Sequence, residues 1–236
     1  MGIPEGRGRQ RTTPVRTAVL ERVATAVLAL PPAGTVRVGI DGVDGAGKTT
    51  FADELRETFA PSGRPVIRAT VDGFHHPRAV RYRRGRGSPE GFYRDSYDYA
   101  TLKAILLDPL GAGGTGWFRL GAFDVDADAR VEAPEEQTPP GAILLFDGIF
   151  LHRPELRRYW DYSVFLRVEW ARNHRLRRRP EPGRHRYQEG QNIYLRECEP
   201  WTRASIVIDN DDLAAPFIVS SGPSLRTGEA GHGAGR

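Results

Sequence analysis

The sequence predicts an α/β fold: a mainly parallel, five-stranded sheet with helices on both faces. Three observations carry that expectation. Stretches rich in β-branched residues alternate with stretches of helical apolar spacing, the pattern of βα units. The run GAILLFDGIF (141–150) is continuously apolar, as in a strand buried on both faces. A glycine-rich turn joins the first strand candidate directly to a helix candidate.

The elements follow in order. Residues 1–14 are polar and basic, without a following apolar run, so they are expected to be a disordered arm and not a secretory signal. VRTAVLERVATAVLAL (15–30) has helical spacing and stops at Pro31-Pro32. TVRVGID (35–41) reads as a strand, and KTTFADELRETFA (48–60) as a helix. RPVIRATVD (64–72) is a second strand and SYDYATLKAILLDPL (96–110) holds another helix. The buried strand at 141–150, then YSVFLRV (162–168) and ASIVID (204–209), complete the sheet, with arginine-rich helix between the last two. Residues 73–140 are poor in strand signal and read as a substrate-binding insertion within one domain spanning 15–221. Residues 222–236 are Gly-rich and polar and are expected to be a disordered tail.

Composition narrows the class. No apolar run approaches the ~18–20 residues of a membrane span. A single cysteine, Cys198, excludes an internal disulfide framework and suits a cytoplasmic location. The net charge is +4, and the only lysines are Lys48 and Lys103. The arginines concentrate at 75–94 and 171–187, either as solvated faces or as phosphate-handling groups. No nucleic-acid-binding motif accompanies them, so no nucleic-acid partner is expected.

The decisive motif is GVDGAGKT (42–49), which fits G-x-x-x-x-G-K-[ST] between a strand and a helix. Gly42, Gly45 and Gly47 let the backbone N–H groups of a loop that also contains Asp44 and Ala46 turn inward around phosphates. The helix, opening at Lys48, Thr49 and Thr50, aims its positive end at the same anion. Lys48 would reach the β- and γ-phosphates of ATP, and the Thr49 hydroxyl would ligate Mg²⁺. The expected architecture is thus a P-loop NTPase three-layer sandwich. Asp147, at the end of the buried strand, is the candidate second metal contact, the alternative being a turn cap. Asp72 ends the second strand, where a carboxylate can accept a proton from an attacking hydroxyl. His75 and His76 follow it, as site residues or as ordinary loop histidines.

GIDGVDGAGKTTFADEL, VDGFHHPRAVRY, SYDYATL, ILLFDGIFL, RYQEGQNIYLRECEP and ASIVIDN together resemble the uridine/cytidine kinase family, grouped with pantothenate kinase and phosphoribulokinase among the P-loop kinases. The resemblance spans about residues 36–210. It implies Asp72 as the base near a 5′-hydroxyl, with Phe74, His75 and Gln191 also at the substrate. The family's F/Y-D-H-P motif falls on Tyr97-Asp98-Tyr99-Ala100, which implies that Asp98 holds ribose hydroxyls, although the His-Pro pair is absent. Its F/L-E-G-I motif falls on Phe146-Asp147-Gly148-Ile149. Its lid, about 172–190, implies Arg172, Arg175 and Arg179 over the triphosphate. A homo-oligomer is left open.

The segment FDVDADAR (123–130) falls on the family's base-reading Y-D-F-V-x-H-x-R. Its alternate aspartates also have the spacing of a calcium loop, but Ala129 stands where the required glycine would be. The resemblance instead implies a remodelled pocket, with Phe123 for tyrosine, Asp128 for histidine and Arg130 kept; a solvated acidic loop is the other reading. Losing the tyrosine hydroxyl removes roughly 0.5–1.5 kcal/mol if it was bonded. A carboxylate at Asp128 would repel the O4 edge of uracil and suit an amino group, a polyol or an amine. The implied activity is ATP- and Mg²⁺-dependent phosphorylation of a nucleoside. Pantothenate or a sugar phosphate is the alternative acceptor, favoured by the arginines at 78–86, and a nucleic-acid-associated ATPase is a third reading.

Overall fold

Six strands form the central sheet: β1 (Val36–Gly42), β2 (Val66–Thr70), β3 (Ile143–Asp147), β4 (Tyr162–Arg167), β5 (Ile206–Asp209) and β6 (Phe217–Ser221). The computed structural model describes residues 13–31, 34–169 and 183–221. Strand order is β6-β5-β4-β1-β3-β2. The first five strands are parallel, and β6 pairs antiparallel with β5 at the edge. This sixth strand departs from the five expected. All its residues are exposed, so no burial alternation marks it in the sequence.

Period-two alternation divides the sheet between two cores. Val38, Ile40, Ile143, Leu145, Val164 and Leu166 face helices α1 (Pro14–Leu28) and α2 (Lys48–Phe59). Leu144 and Phe146 face the opposite way, toward α3 (Pro89–Asp95) and α4 (Gly183–Cys198). Helix α1 starts where the Thr13 side chain accepts the Arg16 N–H and Pro14 opens the first turn. Gly39 is needed on β1 because a Cβ there would stand 2.7 Å from the Trp160 ring.

Within 73–140 the chain forms two two-residue ladders, Trp117–Phe118 with Glu136–Gln137 and Phe123–Asp124 with Ala129–Arg130. The helix expected at 96–110 is only Tyr99–Leu102, which widens into a π-turn at Lys103–Leu107. Leu106 and Leu107, both fully buried, sit in the wide turn.

Helix α3 ends in an ion-pair cluster. The Asp95 carboxylate, 2% exposed, accepts from Arg83 and from Arg84 Nε at 2.8 Å. Burial opposes its charge, yet the two arginine hydrogen bonds hold it below the usual carboxylate range. A carboxyl depressed on folding contributes stability above its unfolded pKa, and that contribution is lost as pH falls through the folded value. Asp95→Asn should therefore flatten the acid limb of stability against pH. Denaturation at a series of pH values checks this, and identical slopes in both proteins would contradict it.

Candidate active site

The strand order reverses around β1, and the carboxyl ends of β1, β2 and β3 open on one crevice. Gly42, Gly45 and Gly47 sit at φ of 156°, 80° and 83°, a backbone that side chains other than glycine rarely adopt. Gly47 immediately precedes α2, so the loop delivers its N–H groups to the start of that helix. Lys48 folds back onto the loop and donates to the Val43 carbonyl at 2.9 Å. Burial lowers its pKa, against the opposing pull of Asp44, Asp41, Asp147 and Asp72. An incoming polyphosphate would favour the charged form.

Thr49 and Asp147 meet as the sequence expects. The Thr49 hydroxyl donates to Asp147 Oδ2 at 2.8 Å, and Arg68 Nη2 donates to Oδ1 at 3.0 Å. A hydroxyl and a carboxylate side by side are hard oxygen donors of the kind Mg²⁺ takes, leaving phosphate oxygens and water to complete its shell. Among the described residues no group of three or more His, Cys, Asp and Glu gathers as a metal site, and such a Mg²⁺ site requires none. Arg68 was not legible as a site residue. It lies in a plain strand; its bond to Asp147 forms only when β2 pairs with β3, and its bond to Asp53 only when α2 packs beside that strand.

Two buried attachments fix the loop from behind. Asp41, fully buried at the end of β1, accepts from Gly42 N at 2.7 Å through Oδ1. Its Oδ2 accepts from His152 N at 3.2 Å, from His152 Nδ1 at 2.7 Å and from the Tyr194 hydroxyl. His152 Nε2 continues to Ser163 Oγ at 3.0 Å. Helix α4 supplies the second attachment. Gln191 Oε1 accepts the Asp44 N–H at 2.5 Å, while its Nε2 donates to Tyr187 O at 2.8 Å. Gln191 is 1% exposed, so its amide braces the nucleotide loop instead of reaching outward to a substrate.

Across the crevice, Asp72 stands exposed in a 3₁₀ turn, Val71–Phe74, at the end of β2. The Tyr97 hydroxyl approaches Asp72 Oδ1 at 3.5 Å, and His75 Nδ1 donates to the Asp72 carbonyl at 2.9 Å. Burial lowers the His75 pKa, which favours the neutral ring; the Asp72 carbonyl and charge oppose it. A bridge between His75 and Tyr97 ties this turn to Asp98, whose N–H reaches Phe74 O at 2.8 Å. The Asp98 carboxylate caps the next helix, accepting from Thr101 N at 3.0 Å and Thr101 Oγ1 at 2.7 Å. Phe74, expected at the substrate, is fully buried against Phe146 and serves the core.

FDVDADAR forms a hairpin. Phe123, nearly buried, pairs with Arg130, and Asp124 Oδ1 accepts from Asp126 N and Ala127 N at 2.9 and 3.0 Å. Asp128 turns to the helix Arg78–Arg81, accepting from Arg78 N at 2.8 Å and Arg81 Nη2 at 3.2 Å. One oxygen of the carboxylate, Oδ1, is thus engaged within the protein, which the expectation of a carboxylate facing a base did not include. Arg172, Arg175 and Arg179 lie outside the described residues, as does the first part of the expected lid.

No family model matches the chain. The pantothenate kinase of Rhizobium leguminosarum bv. trifolii (strain WSM2304) is 30% identical over 148 residues, which cover 55% of this chain and 42% of that protein. The chain thus spans less than half the length of the curated relative it matches. Among solved structures, a possible uridine kinase from Bacillus stearothermophilus is similar with a TM-score of 0.65 and 25% identity, over 80% of this chain and 96% of that one. A candidate fructose transport system kinase from Silicibacter sp. TM1040 shares the fold with a TM-score of 0.60 and 22% identity, over 77% of this chain and 94% of that one. The phosphate-binding loop, the parallel sheet around it and these likenesses agree: the chain has the fold of the P-loop kinases it is similar to.

Proposed function

We propose that the chain transfers the γ-phosphoryl group of ATP to a hydroxyl of a nucleoside or close analogue. The observation that carries this reading is the exposed Asp72 carboxylate at the mouth of the crevice that also holds Lys48 and the Thr49–Asp147 pair. Asp72 would take the proton of the acceptor hydroxyl as its oxygen bonds to the γ-phosphorus and the bond to the β–γ bridging oxygen breaks. Lys48 and the loop N–H groups would hold the charge on the phosphate oxygens. Thr49 and Asp147 would hold Mg²⁺, which when bound supplies further charge neutralisation at the phosphates.

The arginines speak for an uncharged acceptor. Arg81 is spent on Asp128 and the His76 carbonyl, and Arg83 and Arg84 on Asp95. A sugar phosphate would have to compete for three of the five arginines first thought available to it. The test is ATP consumption against a panel of uridine, cytidine, their deoxy forms, purine nucleosides, pantothenate and pentose phosphates, with Lys48→Ala as the blank. Turnover of a nucleoside, absent in the blank, is expected. Turnover of pantothenate or pentose phosphates alone would overturn the nucleoside reading.

A further inference from the structure

Arg68 and Asp147 share one face of the sheet, because Arg68 stands opposite Leu145 in the β2–β3 register and Asp147 lies two residues beyond Leu145. That face carries α2, whose first turn holds Thr49 and whose second holds Asp53. Every nitrogen of the Arg68 guanidinium has a partner there. Nε donates to Asp53 Oδ1 at 3.1 Å, Nη1 to the Leu145 carbonyl at 3.0 Å and Nη2 to Asp147 Oδ1 at 3.0 Å. Asp53 is 55% exposed, whereas Arg68 is 17% and Asp147 4% exposed, so the grip on Asp147 is the shielded end. A planar fork held at each of its nitrogens cannot turn, and it fixes the plane of the carboxylate it binds. With Oδ1 given to Arg68, the carboxylate presents Oδ2 to the Thr49 hydroxyl at 2.8 Å.

Coulomb's law alone disfavours a guanidinium beside a carboxylate that has a cation to hold. What the arginine supplies is control over how many oxygens that carboxylate can offer. Ca²⁺ takes about six to eight oxygens in flexible geometry and accepts both oxygens of one carboxylate. Mg²⁺ is smaller and demands a near-octahedral shell, which the narrow bite of a two-oxygen carboxylate fits badly. We infer that Arg68 is a positioning residue that makes the Thr49–Asp147 site selective for Mg²⁺ over Ca²⁺: by holding Oδ1, it leaves the carboxylate one oxygen to offer a metal. This rests on reading Thr49 and Asp147 as the metal pair of the proposed kinase.

The test is titration calorimetry of a non-hydrolysable ATP analogue into the full chain, in saturating Mg²⁺ and, separately, in saturating Ca²⁺. The ratio of the two Kd values reads metal preference without turnover, and the native chain should favour Mg²⁺. Arg68→Met removes the grip and should lower that preference by about 10-fold, the low end of the effect of losing a group that orients a metal ligand. Arg68→Lys keeps the charge but replaces the planar fork by one nitrogen, so it should lower the preference in the same direction. It also decides the matter if the methionine variant does not fold. An arginine that only braces the sheet would leave the ratio unchanged in both variants, and that result would overturn the inference. So would equal affinity for the two complexes in the native chain. A ratio lowered in Arg68→Met but native in Arg68→Lys would overturn it too, because charge and not grip would then set the preference. A native chain that binds the analogue with neither ion would overturn it together with the nucleotide site. A chain that binds the analogue but phosphorylates no nucleoside would refute the proposed function while leaving the metal preference decidable.

Discussion

Asp72→Asn should lower turnover by about 100- to 10,000-fold while ATP binding stays nearly intact. Asparagine matches aspartate in size and still presents an oxygen to the Tyr97 hydroxyl, so the turn at 71–74 has no reason to rearrange. What it loses is the ability to take a proton. Among the charges acting on Lys48, Asp72 is the weakest, behind Asp44, Asp41 and Asp147, so the nucleotide end is little disturbed. Single-turnover rates and titration with a non-hydrolysable ATP analogue read the two quantities separately. Unchanged turnover would remove Asp72 from the chemistry. Equal loss of turnover and nucleotide affinity would mean that the crevice had collapsed.

The second large effect is on stability. Asp41→Ala should lower the free energy of unfolding by about 3–5 kcal/mol, the cost of removing one partner from a buried, hydrogen-bonded polar cluster. Four donors converge on that carboxylate: Gly42 N, His152 N, His152 Nδ1 and the Tyr194 hydroxyl. All lie where water does not reach, since Asp41 is fully buried and His152 and Tyr194 are each 2% exposed. Truncation leaves each of them desolvated without a partner. Denaturant unfolding with an unchanged m-value would measure the loss. A change below about 1 kcal/mol, typical of an ordinary substitution, would show that the cluster is replaceable.

These two aspartates mark the boundary of what could be read from sequence. The nucleotide loop was legible because its requirements are local: glycines at positive φ, a lysine and a hydroxyl at the start of a helix. The sheet was legible through the alternation of strands and helices and the buried run at 143–147. Asp41 carried no such mark, because its partners His152 and Tyr194 lie 111 and 153 residues away. Arg68 and Asp147 are 79 residues apart and meet only through strand pairing. Gln191 and Phe74 were placed by motif alone, and burial assigns them to bracing and packing. At Asp128 a charge read as facing outward is answered by an arginine 47 residues earlier. In each case residue chemistry was visible and the long-range partner was not. Strand β6 is a different case: Phe217, Ile218 and Val219 suit a strand, but at an exposed edge they show no apolar–polar alternation.

The most direct measurement is phosphorus NMR of the protein incubated with ATP, Mg²⁺ and cytidine or uridine, beside a Lys48→Ala control. The expected result is a phosphate monoester on the nucleoside and stoichiometric ADP, both absent in the control. Inorganic phosphate as the only new species, rising when RNA or DNA is added, would contradict phosphoryl transfer to a small-molecule hydroxyl.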